Sequence, residues 1–438
     1  MTLDYAELTA GSAAALQAAR ARLPGGHTRQ TLVFPPHPFF AARGEGAYLT
    51  DVDGRRYLDF VNNYTSLVHG HAHAPTVAAI AEAAARGGAP GAPTALELRM
   101  ADVLARRIPS LERLRFAVTG SEAVGYALRV ARAHTGRARV LKFEGGFHGS
   151  WDAVQQSIRS EPMAPGAFCE GRPNSGGLPP VGTIVARYND LDSVRAALAR
   201  WGEEVAAVIV EPFLGNGALV AAEPGFLAAV QELAHAHGAL FVLDEIQSCR
   251  LALGGAQSLH GVRPDLTTVG KTIGGGLPLA AFGGREELMA HMDGLDPDVP
   301  QPGTFNAFPL SLSAGLATLA EWDAPAVARL GALGEQARER IRATFAARGV
   351  PVSVGGSGSM FHVALREEPI ACYADIAGAD AAGWQLLHQQ LLARGVYTTA
   401  RGTGCLSTPM TEADLDVLAE ALDAALAVLC ERRPELVA

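Results

Sequence analysis

Between residues 110 and 285 the chain alternates short, unbroken apolar runs with stretches of helical period, and few folds accommodate that rhythm. The run Val205-Ala206-Ala207-Val208-Ile209-Val210 has no polar face at all. A strand with one face in water alternates polar and apolar residues, so a continuous run reads as a strand buried on both faces. Strands are expected at Leu114 to Val118, Arg139 to Phe143, Gly182 to Arg187, Val205 to Val210, Leu240 to Leu243, Leu266 to Val269 and Leu279 to Phe282. Helices are expected between them at Ser121 to His134, Leu191 to Trp201 and Pro224 to His237. Repeated strand–helix–strand units build an open, mostly parallel sheet covered by helices, so the fold class is α/β.

From about residue 310 the pattern changes to longer helices, at Leu310 to Trp322, Val327 to Arg348, Ala381 to Arg394 and Glu412 to Cys430. Short strands fall near Phe361 to Leu365 and Val396 to Thr399. This predicts a large domain over 66–308 and a smaller α+β domain over 309–438, joined by an N-terminal segment, 1–65. A chain of 438 residues is long enough to split in this way. Residues 155–181 carry Gly, Pro and polar residues without a period, and a loop of that length in a compact domain reads as a lid over a site.

Charge and cysteine usage narrow the function classes. A net charge of −9 with no basic stripe argues against nucleic acid or an anionic membrane as partner. The first 24 residues lack a basic stretch followed by an apolar core, and no 18-residue apolar run occurs, so a cytoplasmic protein is expected. Five scattered cysteines without a CxxC pair argue against a disulfide framework and a zinc site, and no metal is expected.

Of the 36 basic residues only Lys142 and Lys271 are lysines. Lysine retained in so arginine-rich a chain points to a need for a primary amine. Lys271 follows the strand Leu266 to Val269 and precedes Gly274-Gly275-Gly276, so its amine emerges at a strand end on tightly turning backbone. Amines so placed form Schiff bases, because burial and neighbours can lower their pKa, which a guanidinium does not allow.

Four further segments complement Lys271. In Val118-Thr119-Gly120-Ser121-Glu122 a strand ends and a Thr-x-x-Glu pattern opens a helix whose free N–H groups suit a phosphate. Phe143-Glu144-Gly145-Gly146-Phe147-His148 ends a strand in glycines that project an aromatic ring and an imidazole. Leu243-Asp244-Glu245-Ile246-Gln247 brings an acid pair to a strand end, the edge where open α/β sheets hold ligands. Gly303-Thr304-Phe305-Asn306 is a small-residue turn whose hydroxyl suits a phosphate oxygen. An amine for an aldehyde, an acid for a ring nitrogen, a flat side chain and a phosphate cradle are the needs of pyridoxal 5′-phosphate. Neither GxGxxG after a strand nor GxxxxGK[ST] occurs, so a nucleotide loop is not supported.

These five motifs, in this order, resemble those of class III aminotransferases, within the branch of glutamate-1-semialdehyde aminomutase and the β-amino-acid (β-phenylalanine) aminotransferases. The similarity runs from about Leu23 to the C-terminus. It implies fold type I of pyridoxal-phosphate enzymes and a homodimer. By the resemblance Lys271 bears the cofactor and Asp244 pairs with its ring nitrogen. Gly120, Ser121 and the partner copy's Thr304 hold the phosphate, while Phe147 and Ile246 cover the ring faces. His148, Glu211 and Gln247 complete the cofactor set.

The resemblance also implies that Arg29 and Arg401 read a substrate carboxylate, with Tyr64 and Asn63 lining the pocket mouth. Gln247, and a Ser248-Cys249-Arg250-Leu251 stretch one residue shorter than the aminomutase version, lean toward transfer between two molecules. The expected reaction moves an amino group from a β-amino acid to an α-keto acid; the alternative is an intramolecular aminomutase of the glutamate-1-semialdehyde type.

Overall fold

The computed structural model describes residues 3–158, 162–179 and 182–436. They form two compact units: the larger comprises Ala74–Val327 with Ile370–Ala377, the smaller the residues up to His73, Ala328–Pro369 and Gly378 onward.

The larger unit is built on eight strands: β1 (Arg113–Ala117), β2 (Arg139–Phe143), β3 (Phe168–Glu170), β4 (Thr183–Ala186), β5 (Val205–Val210), β6 (Leu240–Glu245), β7 (Leu266–Val269) and β8 (Ala280–Gly284). Their order in the sheet is β1-β8-β7-β6-β5-β2-β4-β3. Neighbours among β7, β6, β5, β2 and β4 pair in parallel, whereas β8 runs antiparallel to β7 and β1, and β3 antiparallel to β4. The sheet is therefore mostly parallel, as the apolar runs predict, and the carboxyl ends of β1, β2, β5, β6 and β7 share one edge.

Both faces are buried. Val140, Ala207, Ile209 and Val242 pack with the helix Gly120–Thr135, while Leu141, Val208, Val210 and Phe241 pack on the other side with helices Leu191–Trp201 and Phe226–Ala236. Successive residues of a strand point to opposite faces, so a sheet covered on both sides gives runs with no polar alternation. Each fully buried valine or isoleucine contributes about 1.5–3 kcal/mol over its exposed state.

Part of the stretch 155–181, read from composition as a lid, is built into the sheet; 159–161 and 180–181 lie outside the described residues. Phe168–Glu170 is an edge strand of the sheet. The Ser157 N–H donates to the Arg172 carbonyl at 2.8 Å, and Gly171 N–H to the Thr183 carbonyl at 2.7 Å. A three-residue strand is too short to show a period, so composition alone reads as loop.

The helix Pro309–Glu321, which the sequence pattern assigns to the smaller domain, packs in the larger unit on the helix Ala74–Ala85 and on the turn Lys271–Gly274. Contact with that turn is close: a methyl group on Gly315 would fall well inside van der Waals distance of the Ile273 carbonyl oxygen. The smaller unit has a four-stranded sheet in which Val396–Tyr397 pairs in parallel with Arg56–Asp59, so chain from both termini shares one sheet. A second, three-stranded sheet joins Ser353–Gly355, Met360–Ala364 and Thr403–Cys405. Among the described residues no helix is long and apolar enough to cross a membrane.

Alanine forms helix better than glycine by about 1 kcal/mol, yet Gly315→Ala is expected to lower the thermal midpoint, because the added methyl displaces the turn that carries Lys271. A raised midpoint would show that the turn is not set by this contact.

Candidate active site

Five strand ends supply the site of the larger unit. After β1, Thr119 caps the helix Gly120–Thr135: its hydroxyl accepts the Glu122 N–H at 3.2 Å, and Glu122 in return accepts the N–H groups of Val118 and Thr119 at 3.0 Å. The first four N–H groups of a helix have no intrahelical partner. Here the cap takes that of Glu122, leaving those of Gly120 and Ser121 at the positive end of the helix dipole, an arrangement that binds anions.

Ile246, after β6, lies against both neighbouring glycines. A methyl group on Gly120 would sit 3.1 Å from its Cδ1, and one on Gly270 3.0 Å from the same atom. The loop after β2 crosses the helix start, where Ser150 N–H donates to Ser121 Oγ at 3.1 Å.

Asp244 ends β6 and is only 4% exposed. One carboxylate oxygen contacts His148 Nδ1 at 2.8 Å; the other accepts Thr268 Oγ1 at 3.0 Å and the Ile246 N–H at 3.1 Å. A carboxylate has about four lone-pair sites, so Asp244 can accept one donor more. His148 is buried, and its Nε2 has no partner among the described residues. An orphaned buried ring nitrogen calls for a further group beside it.

The acid pair of the sequence motif is divided. Glu245 points to the opposite face and is consumed structurally, accepting Ser248 Oγ, the Ala256 and Gln257 N–H groups and Gln257 Nε2. Alternation along the strand makes that separation unavoidable.

Glu211, past the end of β5, accepts the Phe147 N–H at 2.9 Å and the Gly215 N–H at 3.1 Å, so it fixes the loop that carries the half-exposed Phe147 ring. Burial, reinforced by the Asp244 charge, pushes its carboxyl up to about 6. Gln247 is half-buried and packs against Gly215.

Lys271 follows extended Gly270 with φ of +48°, a left-handed conformation unusual for a side-chain-bearing residue. Strain of this kind costs on the order of 1–3 kcal/mol and gathers at functional sites. Because β6 and β7 are parallel neighbours in which Asp244 pairs with Thr268, Lys271 leaves the same sheet edge as Asp244. Nearby Cys249 has its thiol pushed up to about 12, chiefly by burial and then by Glu245, with the Lys271 charge opposing.

The other lysine has a role that its sequence context does not reveal. Lys142 is fully buried, and its ammonium donates to the carbonyls of Gly146, Val154 and Gln156 at 2.8, 3.1 and 2.7 Å. Burial pulls its pKa down to about 7, against the opposing charge of Glu211. Three carbonyls match the three protons of an ammonium. Scarcity in the sequence is the one signal for it, and scarcity applies to both lysines equally.

Thr304 is exposed in the larger unit. Arg29, Tyr64 and Arg401 come together in the smaller unit. Arg29 Nη1 donates to Asn63 Oδ1 at 2.8 Å, and the Tyr64 hydroxyl donates to the Thr31 carbonyl at 2.8 Å. Burial raises the Tyr64 phenol, while the charges of both Arg29 and Arg401 act to lower it.

Residues 33–426 match the family model for aminotransferase class-III. The chain is 41% identical over 399 residues to a glutamate-1-semialdehyde 2,1-aminomutase from Sorangium cellulosum, covering 90% of each. It superposes on an omega-transaminase from Sphaerobacter thermophilus with a TM-score of 0.91 at 39% identity, covering 95% of this chain and 97% of that one. A beta-phenylalanine aminotransferase from Variovorax paradoxus matches with a TM-score of 0.90 at 35% identity, covering 97% and 95%.

Glu211 sets a pH dependence. An unfolded glutamate titrates near 4.5, and the folded carboxyl near 6. A group that binds its proton more tightly when folded lends its stability in full below 4.5 and loses it as pH rises through about 6. Glu211→Gln should therefore flatten the change of urea midpoint between those two values; an unchanged slope would assign the titration to another group.

Proposed function

The chain belongs to the class III aminotransferases, and on that premise we propose that it moves an amino group on a carboxylate-bearing substrate, with Lys271 as the amine that carries its cofactor. The cofactor is pyridoxal phosphate. Bound there, it supplies an aldehyde that condenses with amines and a pyridine ring that draws electrons from the carbon bearing nitrogen.

The residues present fit that group. The single observation that carries the reading is the buried Asp244–His148 pair, with one lone-pair site and one ring nitrogen unfilled, beside a strand that runs on into Lys271. Asp244 would keep a proton on the pyridine nitrogen. Gly120 and Ser121 would hold the phosphate through backbone N–H groups, and Ile246 and Phe147 would bound the ring, with Gln247 at its phenolic oxygen. Lys271 Nζ would take the proton from the substrate's nitrogen-bearing carbon. Arg29 and Arg401 would bind the substrate carboxylate, with Tyr64 within reach of both charges. Thr304 would reach the phosphate of a second copy; its exposure and that of neighbouring Phe305 support such an interface.

Two reactions meet this description. Intramolecular transfer of the glutamate-1-semialdehyde type has the stronger backing among relatives, since the Sorangium protein bears that name at 41% identity. Transfer from a β-amino acid to an α-keto acid is supported by Gln247, the short Ser248–Leu251 stretch and the Arg29 corner, and by likeness to the Variovorax enzyme.

Incubation of the holoenzyme with β-phenylalanine and 2-oxoglutarate should yield glutamate if transfer is between molecules. Glutamate-1-semialdehyde alone should yield 5-aminolevulinate if it is intramolecular. Lys271→Ala is expected to lose the cofactor absorbance of the resting enzyme and to cut turnover by several orders of magnitude. Were this variant to retain both, Lys271 would not be the amine that bears the cofactor.

A further inference from the structure

Residues Asn62–Thr65 form a turn of left-handed helix. Asn62, Asn63, Tyr64 and Thr65 have φ of 46°, 48°, 56° and 73°, and the turn is closed by the Thr65 N–H on the Val61 carbonyl at 3.2 Å. Left-handed helix costs L-residues about 1–2 kcal/mol each; asparagine tolerates it, whereas tyrosine and β-branched threonine do not.

Surrounding bonds enforce the conformation. Asp59 Oδ1 accepts the N–H groups of Val61 and Asn62 at 2.7 and 3.0 Å, and Asn62 Nδ2 donates to the carbonyls of Asp59 and Cys405, both at 2.9 Å. The Tyr64 hydroxyl is held by Thr31. Asn63 Nδ2 donates to Ser66 Oγ at 3.0 Å, and that hydroxyl donates back to the Asn63 carbonyl at 3.0 Å. With its amide nitrogen occupied, Asn63 turns its oxygen to Arg29 Nη1.

We propose that this left-handed turn is a specificity device in which Asn63 is a positioning residue, aiming the Arg29 guanidinium at a substrate carboxylate while leaving its charge intact. A neutral amide oxygen orients a guanidinium by one hydrogen bond and leaves four of its five N–H donors for the fork that a carboxylate fits. An acid at position 63 would offer the same bond but neutralise the cation. The turn matters because it presents an acceptor at a point where right-handed or extended backbone would send the side chain elsewhere. This inference rests on the proposed role of Arg29 in carboxylate binding and holds for either of the two reactions.

The test uses holoenzyme with whichever substrate it turns over, β-phenylalanine or glutamate-1-semialdehyde, both carboxylates. Asn63→Asp should raise KM about tenfold or more, as expected for losing roughly 1.4 kcal/mol of carboxylate binding, with kcat and the cofactor spectrum little changed. Asn63→Gly removes the acceptor but suits a left-handed backbone, so it should raise KM while keeping or raising the thermal midpoint. An Asn63 with a structural role alone would give a lower midpoint with unchanged KM in the glycine variant, and that result overturns the proposal. Arg29→Leu separates the two levels: if it leaves KM unchanged, the carboxylate role of Arg29 is wrong. If it raises KM while Asn63→Asp stays within twofold of the parent, the positioning role is wrong and the reading of Arg29 stands.

Discussion

A carboxylate removed from water must be met by donors, and in the larger unit Asp244 meets that requirement by drawing on several segments at once. Its partners come from three places: His148 from the loop after β2, Thr268 from β7, and the Ile246 N–H from the turn that follows its own strand. Satisfying one buried charge therefore ties three segments of the sheet edge together. The same charge reaches Glu211 and, after burial, helps to raise its carboxyl. Glu211 in turn fixes the backbone at Phe147 by accepting its N–H.

Strain and rarity coincide at Lys271. Lys271 has a backbone conformation that glycine would adopt more easily, and the helix that packs on its turn does so through Gly315, where no side chain intervenes. The turn at Asn62–Thr65 repeats the logic in the smaller unit, with bonds from Asp59 and Cys405 holding a handedness the residues themselves disfavour. Lys142 shows a different use of an amine, binding three carbonyls so that a glycine-rich loop takes one shape.

The sheet was legible because both of its faces are buried: Arg139–Phe143, Val205–Val210 and Leu266–Val269 agree residue for residue with the apolar runs. Where chemistry interrupts hydrophobicity the pattern fails. The run ending at Leu243 stops two residues early because Asp244 and Glu245 are polar, although the ladder continues through their pairing with Thr268 and Val269. The period of Pro309–Glu321 declares a helix but not the unit it packs in. Motif order pointed to the residues at the strand ends, several of which, such as Ser121, Phe147 and Lys271, sit beside a glycine. The pairing of Arg29 with Asn63 and the anchoring of Asn62 by Cys405 had no local trace, being made between segments 34 and 343 positions apart.

Ile246 is wedged between two positions that have no side chain, Gly120 at the start of its helix and Gly270 immediately before Lys271. The three sites form one steric account: bulk added at either glycine has to be withdrawn from the isoleucine, and a larger residue at 246 has no glycine left to displace. Lineages descending from this sequence are thus expected to vary these positions jointly or leave them alone. Through that wedge a single branched side chain couples the start of the helix at Gly120 to the backbone that leads into Lys271.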